Sequence, residues 1–422
     1  MRITKIHLQN IGVFEDTTIA FPEKTDPDKA EIHILTGENG TGKSTVLYAI
    51  SSLQNGYPLF NNRSRFRDSR SSTKIHFDDG SDLTYTFDQA SYLNYTWSSI
   101  DHPSTVSTYL QNTNNFQHLS FQFAFFAYSS YRSISSSKID YIQELKNNPF
   151  ENALDFNNSV NPALLMQWIA NTKTKEALEF QKNGQGNSER YRKSINRIEG
   201  AIARIINEKI EFVMETDPLD VMIKVGDKLL SFDVLPDGLR SIISWIADLL
   251  MRMDRIKWAT NVELLDRNFI LFLDEIDVHL HPAWQRKVLP AVQKLFKNAQ
   301  IFVSTHSPFV VGSVDGAWVH KLVLDEKGNS RAEPPRKSED GESYQYILRE
   351  VFGIDEQFGV GTEGMLAEFR DIKSKILENQ HYDREKFLKL AHDIAVQSIE
   401  LTSIIGMELR QLSRIKQADF SI

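Results

Sequence analysis

The sequence predicts an α/β fold: a mixed sheet with a phosphate-binding loop at one strand end, a helical insertion lobe and a helical C-terminal tail. Three stretches predict it. Glu31-Ile32-His33-Ile34-Leu35-Thr36 is a short apolar strand that feeds Gly37-Glu38-Asn39-Gly40-Thr41-Gly42-Lys43-Ser44-Thr45, and Val46 to Ser51 reads as the helix that follows. Phe269-Ile270-Leu271-Phe272-Leu273 is a continuous apolar run ending in Asp274-Glu275, and Ile301-Phe302-Val303-Ser304 is another ending in Thr305-His306. Continuous apolar runs mark parallel strands buried on both faces, and ligands of such sheets sit at the C-terminal strand ends.

Taken in order, Met1 to Leu8 alternates apolar and polar residues, which is a strand and not a signal peptide. A polar stretch with Arg63, Arg65, Arg67 and Arg70 follows the first helix. Thr73–Phe77 and Leu83–Phe87 alternate like a hairpin across Asp78-Asp79-Gly80-Ser81. Residues 88–117, rich in Ser, Thr, Asn and Tyr, read as loop, and Phe121–Tyr128 as a buried strand, its aromatics core rather than a base-stacking platform. From about 140 to 210 the pattern is mostly helical, clearest over Asn187–Glu211, where Ile195, Ile198, Ile202, Ile205 and Ile206 keep helical spacing. Strands follow at 209–214, 219–225 and 228–232, a helix over Arg240–Met253, then strands Phe269–Leu273 and Gln300–Ser304 around a helix near 282–297. After about 340 the chain reads helical, with Glu363–Asn379 and Arg384–Gln417 the longest pieces. The predicted organisation is an N-terminal half-head over 1–135, the helical lobe over 136–215, the C-terminal half-head over 216–340, and a helical region over 341–422 suited to packing or to partner binding.

At 422 residues the chain can bury a large core in more than one lobe. No run approaches the roughly 18 apolar residues of a membrane span. The lack of cysteine removes disulfides and thiolate metal sites and suits a reducing cytoplasm. A net charge of -8 argues against indiscriminate coating of DNA, which needs concentrated Lys and Arg, although a local basic groove stays open.

The chemistry follows from the residue types. The pattern Gly37 to Thr45 fits G-x-x-x-x-G-K-[ST], whose glycines let successive backbone N–H groups turn toward phosphate oxygens. Lys43 can reach the β- and γ-phosphates, the Ser44 hydroxyl can ligate Mg²⁺, and the helix N-terminus favours an anion. Asp274 is placed to hold Mg²⁺ directly or through water, and Glu275 to polarise the attacking water as general base. His306, at the end of its own strand, can contact the γ-phosphate and sense it.

With these residues in view, the chain resembles ABC-type P-loop ATPase heads of the RecF/SMC-like branch, grouped with AAA-type ATPases. Gly37–Thr45, Phe269–Glu275 with its tail Ile276-Asp277-Val278-His279-Leu280-His281-Pro282, and Val303–Pro308 carry the resemblance, over roughly residues 1–50 and 225–320. The resemblance implies that two heads sandwich two ATP molecules with Mg²⁺. Asn39, Gly40, Thr41, Gly42, Lys43, Ser44 and Thr45 would bind the nucleotide, Ser44 and Asp274 the metal, and Glu275, Lys43 and His306 would serve catalysis. It also implies a signature loop, usually Leu-Ser-x-Gly, supplied in trans. The matching stretch is Leu235-Pro236-Asp237-Gly238, so Gly238 would meet the nucleotide of the opposite subunit, while Pro236 replaces the Ser and has neither hydroxyl nor N–H. Slow turnover, with ATP acting mainly as an assembly ligand, fits that change. Asp277 to His281 would cross the dimer interface, and Gln122 or the Tyr128–Arg132 turn would supply the glutamine-loop position.

There are no long heptads for a cohesin-like arm, no Cys-x-x-Cys for a zinc hook and no acid-rich strands of a Toprim nuclease. The short-armed head, the altered signature and the tail Leu366–Gln411 are similar to the PtuA-like ATPases of Septu and retron anti-phage systems. That resemblance implies a homo-dimer or higher homo-oligomer that regulates or scaffolds a separately encoded HNH nuclease (PtuB-like), with a retron reverse transcriptase and its RNA/DNA as further candidate partners. Two alternatives stay open. One is a RecF-like DNA-repair ATPase contacting DNA through Arg63, Arg65 and Arg67; the other is an ATP-dependent dimerisation module in which binding and not hydrolysis is the active event.

Overall fold

The structure, a computed structural model, describes residues 1–53, 65–88, 92–98, 105–130, 139, 141–156, 158, 160–339 and 341–422. Two antiparallel strands, β1 (Ile3–Ile11) and β2 (Phe14–Ala20), precede β3 (Glu31–Gly37), which runs into helix α1 (Lys43–Ser51). The hairpin β4 (Ser72–Phe77) and β5 (Asp82–Asp88) is joined by β6 (Tyr92–Ser98), giving an antiparallel sheet in the order β2-β1-β4-β5-β6. Helix α2 (Thr105–Asn112) leads to β7 (Phe123–Tyr128), and then α3 (Pro162–Asn183) and α4 (Gln185–Ile206) form a helical pair. A small sheet of β8 (Ile210–Thr216), β9 (Leu219–Val225) and β10 (Lys228–Leu230) precedes α5 (Asp237–Arg255).

The central sheet is completed by β11 (Asn268–Leu273), α6 (Pro282–Leu295), β12 (Ala299–Ser304), the short α7 (Pro308–Val311), and β13 (Trp318–Leu324) with β14 (Ser330–Ala332) and β15 (Arg336–Lys337). Its order is β14-β13-β3-β12-β11-β7, with β15 beside β13. β7, β11, β12, β3 and β13 run parallel, and β14 and β15 are antiparallel, so the sheet is mixed as the sequence predicted. Every residue of β3, β7 and β12 is buried, which is why these strands are mostly apolar, with the few polar side chains paired. The parallel register sets Val303 beside both Ile34 and Leu273. The C-terminal ends of β3, β11 and β12 therefore open onto one edge.

Polar residues inside this sheet are paired. The Glu31 carboxylate accepts from Arg2 Nε at 2.7 Å, Gln300 Nε2 at 2.6 Å and the His33 ring at 2.8 Å. Burial alone would raise the Glu31 pKa, but hydrogen bonds from His33 and Arg2 outweigh it and hold the carboxyl down at about 2. This group fastens the start of β1 onto the sheet that carries the phosphate loop.

Several expectations need correction. Residues 88–117 are not simply loop: Tyr92-Leu93-Asn94-Tyr95-Thr96-Trp97-Ser98 pairs with β5, and Thr105–Asn112 is helical. Leu93 to Ser98 alternates apolar and polar residues, and its aromatic and β-branched residues favour a strand, while Val106, Tyr109 and Leu110 form the buried stripe of α2. No helix lies among the described residues of 139–161; the helical lobe starts at Pro162, with Asn161 capping it. The run Arg384–Gln417 is two helices. After α8 (Tyr344–Glu350) and α9 (Val360–Leu377), α10 (Arg384–Ala395) stops, and Ser398 caps α11 (Ile399–Lys416) by accepting from Leu401 N. The chain divides into two compact units, Met1–Phe352 and Gly353–Ile422. The second has its own core, with Leu366, Phe369, Phe387, Ile394, Ile405 and Leu412 at its centre.

Gly37 ends β3 at φ 140°, and a Cβ there would lie 2.2 Å from the backbone oxygen of Leu322 on β13. Only glycine fits between the paired strands. Gly37→Ala is expected to cost about 2 kcal/mol or more, through forced strand separation and backbone strain. The check is a shift of the urea midpoint; an unchanged midpoint would show that β13 yields easily.

Candidate functional site

The turn between β3 and α1 is built from left-handed backbone. Gly40 sits at φ 83° and Gly42 at φ 92°, and Gly42 serves as N-cap of α1 without any side chain to offer. A Cβ on Gly42 would come within 2.6 Å of the Phe14 ring. Gly40 has nothing within 4 Å of where a Cβ would be, so its own need for glycine is conformational. The Thr41 side chain folds inward, donating to Glu38 O at 2.9 Å, and Ser330 Oγ donates to Thr41 O at 2.7 Å. The loop is thereby stapled to β14.

Lys43 leans back along this turn and donates to Gly37 O at 3.0 Å and Glu38 O at 2.8 Å. Burial lowers its pKa to about 8, despite the opposing pull of Asp274, Glu275 and Asp277. A phosphate needs the protonated amine, so the sign is fixed: above the free-state pKa, binding must first take up a proton. Nucleotide affinity is expected to fall about tenfold between pH 7 and pH 9. Calorimetric titration across that range checks it, and a flat profile would show that Lys43 is not the phosphate contact.

Ser44, Asp274 and Ser304 form the floor. Ser44 Oγ donates to Asp274 Oδ1 at 3.0 Å, and Ser304 Oγ, from the end of β12, donates to the same oxygen at 2.5 Å. Tyr48, one turn along α1, donates to Asp274 Oδ2 at 3.4 Å, and burial first, with the Asp274 charge second, pushes its hydroxyl up to about 12. Asp274 N donates to Tyr128 O at 2.9 Å, which anchors the carboxylate to the end of β7. Glu275 lies next to it at φ 46°, in the left-handed region that a residue with a Cβ rarely adopts. Its N–H donates to Ser304 Oγ at 2.7 Å, so one serine holds both acids in place. His306 is exposed on the same edge; burial of its inner part, then the charge of Lys43, lowers its pKa and favours the neutral ring.

These groups line one cleft of about 470 Å³, whose walls are Gly12, Val13, Asn39, Gly40, Gly42, Lys43, Ser44, Thr45, Arg65, Glu275 and His306. The structure thus brings together Asn39, Gly40, Gly42, Lys43, Ser44, Thr45, Glu275 and His306, with Asp274 beneath through Ser44. Thr41 supports the loop from behind. The donors suit a hard divalent cation: one hydroxyl and one carboxylate, all oxygen. Among the described residues no group of three or more His, Cys, Asp or Glu is placed to hold a metal ion, so such an ion would draw its remaining ligands from phosphate and water.

Arg65 is the main residue that sequence reasoning misplaced. It is half-buried, donates to Thr45 Oγ1 and lies 4.8 Å over the Tyr48 ring, inside the cleft. Arg67 is also engaged, donating to Gly12 O at 2.6 Å and to Asn329 Oδ1 at 3.2 Å, while Arg70 pairs with Asp68 at 2.7 Å. Arg63 lies outside the described residues. Spacing gave no signal for Arg65, because the contact depends on β4 docking beside β1. Ser304 had a signal, standing two positions before His306 at a strand end. Gln122 precedes β7 at the end opposite the cleft, so it does not fill the glutamine-loop position. Tyr128 is at the correct end, but its hydroxyl is spent on Asp248 at 2.9 Å, and Tyr131 and Arg132 lie outside the described residues.

Gly238 is not in its own cleft. It sits in the first turn of α5, where a Cβ would meet His279 O at 2.5 Å, so packing explains this glycine without reference to any ligand.

A family model described as "AAA_21: AAA domain, putative AbiEii toxin, Type IV TA system" matches residues 32–312. The chain is 25% identical to "Retron Ec83 probable ATPase" of Escherichia coli over 435 residues, covering 84% of this chain and 76% of that protein. It is 27% identical to "Septu protein PtuA" of Bacillus thuringiensis over 217 residues, covering 50% of this chain and 54% of the relative. Among solved structures, an Smc head bound to the C-winged helix domain of ScpA aligns over 80% of this chain and 98% of its own at 14% identity and a TM-score of 0.49.

Proposed function

As the chain belongs to the AAA_21 family and is an ATPase of that family, we propose that it binds ATP with Mg²⁺ in the cleft, closes head to head with a second copy around the nucleotide, and regulates or scaffolds a separately encoded nuclease in anti-phage defence. One observation carries the ATP reading: Ser44, Asp274, Ser304 and Glu275 converge in a single hydrogen-bonded group directly under the phosphate loop. The defence reading is supported by relatives named as a retron ATPase and as Septu PtuA.

In this reading the loop N–H groups and Lys43 bind the phosphates. When bound, Mg²⁺ would neutralise part of the phosphate charge. Ser44 and Asp274 would hold it, and Glu275 accepts the proton of the attacking water. His306 and Arg65, which both line the cleft, would contact the terminal phosphates. Gly238 lies outside its own cleft at a helix start, as a group serving a partner's nucleotide would. Glutamate at the left-handed position 275 points to a held geometry.

The test is calorimetry of the purified chain with ATP and Mg²⁺, light scattering with and without nucleotide, and phage plating beside its neighbouring gene. Nucleotide uptake abolished by Lys43→Ala, dimer formation on ATP, and loss of protection in the same variant are expected. No uptake by the unaltered chain would remove the proposal. Against direct DNA contact, Arg65 enters the cleft, and Arg67, though exposed, already donates to Gly12 O and Asn329 Oδ1.

A further inference from the structure

His306 is flanked by two side chains that do not face the cleft. Thr305, fully buried, donates from Oγ1 to Asp277 Oδ1 at 2.5 Å and accepts from Ser307 N at 3.0 Å. Ser307, on the other side, donates to Gln285 Oε1 at 2.6 Å. Gln285, on α6, turns its amide back and donates to Leu280 O at 2.9 Å and Asp277 O at 3.3 Å. The turn Asp277–Leu280, closed by Leu280 N donating to Asp277 O at 3.0 Å, is thus gripped at both ends by the residues on either side of His306.

That turn carries a second feature. His279 is held at φ 63°, in the left-handed region, and its carbonyl stands against Gly238, leaving no room for a Cβ there. The Trp284 ring closes the other side, 3.2 Å from the same point. Hydrogen bonds at one end and close packing at the other make a continuous path from the His306 loop to the first turn of α5. Along it Thr305, Ser307 and Leu280 are buried, and Gln285 is half-buried with both of its polar atoms used.

We propose that Thr305 and Gln285 are positioning residues that make the His306 loop, the Asp277–Leu280 turn and the N-terminus of α5 one rigid linkage, so that a phosphate held at His306 sets the position of Gly238. The inference rests on the reading of the cleft as a nucleotide site. It adds that occupancy of a chain's own cleft decides how that chain presents its α5 N-terminus. Energetic coupling needs such a physically connected element with more than one arrangement. The bond from Thr305 to Asp277 is the link that a small change can cut, because Val has the shape of Thr without the hydroxyl.

Hydrogen exchange of the full chain, with and without ATP and Mg²⁺ and at dilutions where light scattering shows no dimer, tests it in the unaltered protein and in Thr305→Val, Thr305→Ser and Gln285→Met. Nucleotide is expected to slow exchange at residues 39–45 in all four. Slowing at residues 238–243 is expected in the unaltered chain and in Thr305→Ser, and to be lost in Thr305→Val and Gln285→Met. In those two variants kcat should fall by roughly 10- to 100-fold with KM within about twofold, as for misplacement of a group remote from the chemistry. Gln285→Met is the safer variant should Thr305→Val fail to fold, since Gln285 is only half-buried. Retention of the 238–243 effect in the folded variants, or its absence in the unaltered chain while 39–45 responds, would overturn the linkage. No response at 39–45 in the unaltered chain would instead remove the nucleotide reading.

Discussion

Glu275→Gln is expected to lower ATP hydrolysis by about 10²- to 10⁴-fold while leaving nucleotide affinity within about twofold. Glutamine keeps the shape of the side chain and the backbone N–H bond to Ser304 Oγ, so the left-handed turn should persist. It cannot accept a proton from water. The phosphate contacts come from the loop and from Lys43, which the change does not touch. Phosphate release and calorimetry on the same preparation separate the two quantities. The variant should also accumulate as the ATP-bound dimer in light scattering, since closure would no longer be undone by hydrolysis. Hydrolysis at the unaltered rate would mean that another group activates the water, and the role given to Glu275 would fall.

Arg252→Met is expected to destabilise the protein by about 3–5 kcal/mol. Asp248 is fully buried on α5 and Arg252 is 5% exposed one turn later, with Arg252 Nε donating to Asp248 Oδ2 at 2.6 Å. The same guanidinium donates to Pro149 O and Glu151 O, and Tyr128 donates to Asp248 from the end of β7. Burial pushes the Tyr128 hydroxyl well up, which keeps it protonated and donating. Removing the cation leaves a carboxylate in a dry site, where an uncompensated charge costs far more than a lost pair. Arg252→Met combined with Asp248→Asn should recover part of the loss. Urea melts of both variants check this; equal losses in the single and double variants would show that Asp248 is not the source. The cluster joins α5, whose start bears Gly238, to the strand that anchors Asp274, so partial loss of ATPase activity is expected alongside.

The candidate-site residues were legible because each lies beside the end of a buried, mostly apolar strand. Asn39 to Thr45, Asp274, Glu275 and His306 come from three such ends, and parallel pairing of β3, β12 and β11 places them side by side. Errors gathered where the local signal was mixed. Leu93 to Ser98 alternates apolar with polar side chains and pairs with β5, a strand period masked by the polar composition of residues 88–117. The tail kept its helical period through residues 396–398, so the break before Ser398 left no mark in the apolar spacing. Ser304 was visible as a strand-end hydroxyl, but its two bonds, to Asp274 and to Glu275 N, depend on the turn after β11.

Sequence alone determined the phosphate loop, the paired acids and the parallel strands that present them, because glycine spacing and apolar runs are local constraints on backbone and burial. Only the folded chain decided that Arg65 enters the cleft, that Gly238 abuts His279, and that the residues flanking His306 grip the turn after Glu275. Those contacts join positions from 20 residues apart, as with Arg65 and Thr45, to 41 apart, as with His279 and Gly238, and they arise from how strands and helices dock. Side-chain chemistry can be read one residue at a time; docking is settled by the packing of the whole core.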